Sequence, residues 1–264
     1  MPAYPEKTID ELIEAQAKLS MDLQLLMVES IRQGNALPPS LAKEHLVNGA
    51  GRRLGALSHA TDTIFSLFPL RAAKPIPRND LADIQASLQV FLMNLYGLFE
   101  NWGWAFVLRH DLEQAVGGRN GIGLFSRGTQ KMLPRVLREY VTAEGFRSWH
   151  DNYLKSYRDA LAHRIPPYLP PAMFTAEEGK RFNALESEKL DCLRQQNLDR
   201  LAEVELAQKE VGRPCWTFLH AFSEADPPRP ILLHGQLITD GLGVIECGQL
   251  FLANWHITAK DEAE

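Results

Sequence analysis

Arg158, Asp159 and His163 stand within six positions of one another in the stretch 153–171, YLKSYRDALAHRIPPYLPP. An arginine presents a planar fork of N–H donors that matches the oxygens of a phosphate. A histidine is the side chain that exchanges a proton near neutral pH. Together they offer what cleavage of an RNA phosphodiester needs. One group moves a proton to or from the 2′-hydroxyl or the leaving oxygen, and one cation answers the charge that develops on the phosphoryl oxygens.

Such residues need a helix to hold them. Helical periodicity runs over 143–164, and two proline pairs stop it. With Phe146 as origin and about 100° per residue, Trp149, Tyr153, Tyr157 and Leu161 fall within about 60° of it, one apolar stripe. Asn152, Ser156, Asp159 and His163 form a polar stripe between about 220° and 280°, and Arg158 lies near 120° on the other shoulder. Arg158 and His163 are therefore about 140° apart and do not meet side by side on one helix. Asp159 and His163, at i and i+4, do meet, so Asp159 is expected to orient the ring. The negative end of the helix favours a protonated imidazole. Two copies of the helix meeting across a dimer would close the gap, bringing Arg158 of one chain to His163 of the other. Arg164, Lys155 and Asn152 are candidate contacts to RNA phosphates. A plainer reading makes His163 a helix-end cation and Arg158 and Asp159 a surface pair.

The run Arg158-Asp-Ala-Leu-Ala-His163 resembles the motif of the HEPN superfamily (higher eukaryotes and prokaryotes nucleotide-binding domain), an arginine and a polar residue followed within a few positions by a histidine. The resemblance spans about residues 80–171 and implies a helical bundle with the motif late in a core helix. It implies Arg158 and His163 as a catalytic pair and Asp159 as the polar residue after the arginine. It further implies a cleft formed at a homodimer and metal-independent cleavage of single-stranded RNA, in defence or toxin–antitoxin settings. An antitoxin or nucleotidyltransferase would be the natural protein partner. Glu100-Asn101, in LYGLFENWGW, resembles a second polar element that some members carry on an earlier helix. The superfamily also holds members that bind without cutting, so the alternative is a non-catalytic module for a nucleotide or a protein partner.

Charge bears on both readings. The chain carries a net −5, but residues 119–164 hold nine Lys/Arg against four acids, a local +5 against −10 elsewhere. A basic band around the motif is what a phosphate-backbone site needs, although solvated arginines on surface helices look the same.

The elements that must position the motif read as almost entirely helical. Helices are expected from Thr8 or Asp10 to about Gln33, over roughly 39–68, and over 129–141. The most apolar helix is capped by Asn79 or Asp80 and carries Leu81, Ile84, Leu88, Phe91, Leu92, Leu95, Phe99, Trp102 and Phe106 at three- and four-residue steps. It belongs at the centre of a bundle. Residues 175–210 read as one long polar helix with a thin apolar stripe, and 241–256 as a last helix weakened by Gly243 and Gly248. CWTFLHAF alternates like a strand and pairs with PILLHG, the one extended excursion near 215–235. The expectation is an all-α, HEPN-like bundle in which 1–75 packs on a motif-bearing core (76–171) and 172–264 adds further helices, together one compact unit.

Other chemistries find little footing. Cys192, Cys215 and Cys247 lie too far apart for a disulfide framework or a zinc pattern, and no cofactor or metal is called for. The loop GGRNGIGLFSRG follows a helix and matches neither glycine fingerprint for phosphates. Trp102, Trp104, Phe99 and Phe106 sit at helical spacing, which marks core rather than a base-stacking platform. The N-terminus lacks the basic-then-apolar order of a secretory signal, and no apolar run is long enough for a membrane span. A cytoplasmic protein is the expectation.

Overall fold

In the computed structural model, which describes residues 4–223 and 225–262, the apolar run around Phe91 forms helix α4 (Arg78–Arg109). Its 32 residues make it about 48 Å long. Its buried side chains, from Ile84 through Phe91, Leu95, Phe99 and Trp102 to Val107, face several sides at once. A helix apolar over so much of its circumference must be surrounded. Helix α1 (Glu6–Asn35), the run α2 (Leu41–Glu44) to α3 (Arg52–Leu67), α8 (Lys155–His163) and α11 (Leu233–Asn254) do so: α3, α2, α8 and α11 contact α4, and α1 packs on α3 and α11. The mainly helical class read from the sequence is what the chain adopts.

Helix α11 begins at Leu233, eight positions before the sequence suggests, and its glycines are packing surfaces. A Cβ on Gly241 would stand 2.5 Å from Leu19, and one on Gly248 would stand 2.5 Å from Leu26 and 2.9 Å from Trp102. These gaps let α1 and α4 close onto α11, where Trp102 stacks on Phe251 with ring centroids 5.6 Å apart.

Between α4 and the motif helix, the loop 110–126 leads into α5 (Arg127–Gln130) and, after Pro134, α6 (Arg135–Thr142). The single helix expected over 129–141 is divided because proline has no N–H to give and its ring clashes with the preceding turn. Helix α7 (Glu144–Trp149) then runs through a π-helical stretch, His150–Leu154, into α8. A second π-helical stretch, His45–Gly51, joins α2 to α3.

The polar segment after the proline loop folds as a hairpin rather than one helix. Helix α9 (Ala176–Arg194) opens on a capping box, Thr175 with Glu178, and α10 (Leu198–Lys209) opens on Asn197, whose side chain accepts from Arg200 N at 3.1 Å. Gln196 between them takes φ +56°. Reversal there lets Cys192 and Val204 bury against each other's helix, which a straight helix would leave in water. The strand reading holds: β1 (Thr217–His220) pairs antiparallel with β2 (Arg229–Leu232), Thr217 opposite Leu232. His234 and Gly235, expected in the second strand, belong to α11. Tyr168 bridges Leu219 and Met173 bridges Arg213, so the proline loop is stitched to the hairpin's free edge.

Candidate functional site

Helix α8 reaches its place through the π-helical stretch, and that stretch resets its phase. A π turn takes one more residue than an α turn, so the wheel drawn from Phe146 slips past His150. Tyr153, expected in the apolar stripe, is 43% exposed, whereas Tyr157 is fully buried. Ser156, expected among the polar residues, is buried too, and its hydroxyl donates to the Phe222 carbonyl at 3.0 Å and lies 3.1 Å from His220 Nε2. Burial pushes the His220 imidazole down to about 4, with Arg164 adding to the effect.

Arg158 faces α4. Its guanidinium carbon lies 4.7 Å from the centroid of the Tyr96 ring, and Nη2 donates a long 3.4 Å bond to the Tyr96 hydroxyl. Nε stands 3.1 Å from Asp159 Oδ1, yet it is out of line for a hydrogen bond and has no other acceptor among the described residues. The fork is held in position while its donors stay largely unspent. About a third of each of these two side chains is exposed.

Tyr96 and Glu100 are one turn apart on α4. Burial pushes the Glu100 carboxyl above the usual carboxylate range, and the charge of Arg158 works against that push. Burial also raises the Tyr96 phenol, with Glu100 adding to the rise. The backbone at Gly123 closes this side. At φ +149° it occupies a region that favours glycine, and a Cβ there would stand 3.2 Å from Glu100 Oε2. Asn101, one position on, points elsewhere, because neighbours on a helix diverge by about 100°. Its Oδ1 accepts from Arg53 Nε at 2.8 Å and its Nδ2 lies 3.1 Å from His45 Nδ1. The Glu100-Asn101 pair is thus split between two faces of α4, and of the two only Glu100 feels the charge of Arg158.

His163 is the last residue of α8, exposed, with no hydrogen bond among the described residues. Asp159, expected to orient it, is turned toward Arg158 instead. The two lie one turn apart, but Arg158, the adjacent residue with a fixed cation, competes for the carboxylate and takes it. Arg164 folds back along the helix and donates to the Ser156 carbonyl at 3.3 Å and the Phe222 carbonyl at 3.5 Å. Its side chain is thus spent on these carbonyls, while its backbone N–H closes the last turn of α8 by donating to the Ala160 carbonyl at 3.1 Å.

Beside these residues opens a cleft of about 910 Å³ between α8 and the β1–β2 connection. Asn152, Lys155, Ser156, Asp159 and Arg164 line one wall, with Phe222 and Arg229 on the other. Four of the sequence-nominated residues thus share one wall. Lys155 and Asn152 are exposed there.

Sequence reasoning missed His150. It is 6% exposed, sandwiched with the Phe125 ring centroid at 3.6 Å and that of Tyr96 at 5.9 Å. Its Nδ1 lies 2.7 Å from Asp151 Oδ1. Burial lowers its pKa, against the pull of Asp151. The signal was available in the period: four residues after Phe146, His150 falls about 40° from the origin, inside the apolar stripe, and so reads as buried. The three cysteines are buried and free, and no group of three His, Cys, Asp or Glu among the described residues is placed to hold a metal ion. No helix among the described residues is long and apolar enough to cross a membrane. Phe99, Trp102 and Phe106 are core, while Trp104, half-buried, stacks on His45 at 5.4 Å. Comparison with family models, with curated proteins and with solved structures finds nothing that matches this chain.

Proposed function

We propose that the chain is an endoribonuclease of HEPN type that cuts single-stranded RNA with Arg158 and His163, working as a homodimer. The observation that carries the reading is the state of Arg158, positioned by Tyr96 and Asp159 with most of its donors unspent. Such a fork is prepared for an anion at little reorganisation cost. In the proposed step, His163 takes the proton of the 2′-hydroxyl, or returns one to the leaving 5′-oxygen. The 2′-oxygen bonds to phosphorus, the bond to the 5′-oxygen breaks, and a 2′,3′-cyclic phosphate and a 5′-hydroxyl result. Arg158 answers the charge on the equatorial oxygens, while Lys155 and Asn152 hold flanking phosphates. The separation of Arg158 and His163 around α8 is the reason for proposing two chains per site. The test is incubation of purified protein with single-stranded RNA in EDTA, in which the parent cuts and His163→Ala does not.

A second reading draws support from the same ion pair. Arg158 beside Asp159, with His163 alone in solvent, suits a module that binds a nucleotide or RNA without cleaving it. Tight binding by both parent and His163→Ala, with no cutting by either, decides for it.

A further inference from the structure

A separate groove of about 390 Å³ lies between α5 and α6 and shares no lining residue with the cleft beside α8. Arg127, Lys131 and Arg138 rim it, and none of the three forms an ion pair among the described residues. The one acid on the rim, Glu139, is engaged with Arg135 at 3.5 Å. Gln130 also lines the groove; it is 7% exposed, and its Nε2 has no hydrogen-bond acceptor among the described residues. A buried amide donor without a partner is costly. Three unpaired cations around it repel one another unless an anion joins them.

The geometry follows from the sequence. Arg127 and Lys131 are four apart across α5, and Pro134 then turns the chain so that Arg138 of α6 comes back over them. The tightly turned loop before α5, with Gly117 and Gly118 at φ +94° and +77°, delivers Arg127 to the rim, and Thr129 ties the loop down by donating to the Gly121 carbonyl at 3.0 Å.

We propose that this groove binds a backbone phosphate of an RNA strand. The ligand chemistry is read from the lining: three unpaired cations suit a tetrahedral oxyanion with several acceptor oxygens, and the buried Gln130 amide in the same lining keeps an unused donor beside them. The strand as its source rests on the nuclease reading and on the basic band that joins the groove to α8 in sequence.

The test is fluorescence anisotropy with a labelled single-stranded 2′-O-methyl oligonucleotide, which has no free 2′-hydroxyl and so is bound but not cut. Parent protein is compared with Arg127→Gln/Lys131→Gln, both exposed positions, and with the triple variant that adds Arg138→Gln. The triple variant should bind about tenfold or more weakly at 0.1 M salt. Its slope of log affinity against log salt should be shallower by about 0.7, the amount one phosphate contact on a single strand adds. The double variant should fall between. Gln130→Glu, which sets a carboxylate against the ligand, should weaken binding as well. Equal affinity and equal slope for the parent and the triple variant would overturn the proposal. Inorganic phosphate that binds the parent but not the triple variant, with oligonucleotide binding unchanged, would also overturn it, by assigning the groove to free phosphate. Groove-dependent binding by a protein that does not cut RNA leaves this inference standing and removes the nuclease reading. Cutting by the parent with groove-independent binding does the reverse.

Discussion

The guanidinium of Arg158 rests on the ring of Tyr96, 4.7 Å from its centroid, so the motif-bearing helix α8 is joined at this point to the central helix α4 of the bundle. That contact is where fold and proposed chemistry meet. Cation–π attraction at a partly exposed site contributes about 0.5–2 kcal/mol. Tyr96→Leu should therefore lower RNA cleavage about tenfold through a misplaced Arg158. Tyr96→Phe, which removes only the 3.4 Å hydrogen bond, should stay within about threefold of the parent. Equal losses in the two variants would show that the hydroxyl, and not the ring face, matters.

The floor of the site depends on two glycines. A Cβ on Gly103 of α4 would stand 2.6 Å from the Gly123 carbonyl carbon, and one on Gly123 would press on Glu100. Gly103→Ala should cost about 1–3 kcal/mol by overpacking, measured by urea unfolding. Gly123→Ala should cost a similar amount through its φ of +149°. A neutral result at either position would mean that the 123–124 backbone moves freely away from α4.

Buried titratable groups set opposed pH trends. Asp240 is fully buried; Trp149 Nε1 donates to its Oδ1 at 2.8 Å and Gln236 at 2.7 Å, while Oδ2 has no partner among the described residues. Burial pushes its carboxyl up to about 7. A carboxyl protonated in the fold and charged in the unfolded chain loses stability as pH rises from about 4 to about 7. His234, whose imidazole burial pushes down to about 4, acts the other way, and stability falls as pH drops below about 6.5. Asp240→Asn isolates the first trend. Its stability relative to the parent should climb by a few kcal/mol between pH 4 and pH 7, followed by thermal melts. A pH-independent difference would place the Asp240 titration in the ordinary carboxylate range.

Much of the bundle was legible in the residues. Helix α4 announces itself because its apolar side chains recur at every three or four positions over more than seven turns, and no competing period fits. The β1–β2 pair was readable from alternation alone. The α9–α10 hairpin was not, because the reversal at Gln196 and Asn197 uses two polar residues that are common inside helices, and only the burial of Cys192 against the other helix settles it. The phase of α8 was missed for a similar reason. A π turn is a choice made by packing, here of His150 between Phe125 and Tyr96, and one residue of slip exchanged Tyr153 and Ser156 between water and core. Arg158, which follows the slip, could be nominated by type, but its partner Tyr96 lies some sixty positions earlier and carries no local sign of the pairing.

The most direct measurement is the rate and end chemistry of RNA cleavage by parent, His163→Ala and Arg158→Lys proteins in EDTA. The account predicts that the parent leaves a 2′,3′-cyclic phosphate and a 5′-hydroxyl. It predicts a loss of about 10²-fold or more in His163→Ala, as for other proton-shuttling groups, and failure of Arg158→Lys, because a point charge does not replace a fork. Cleavage by His163→Ala at the parent's rate, or products ending in a linear 5′-phosphate, would contradict it.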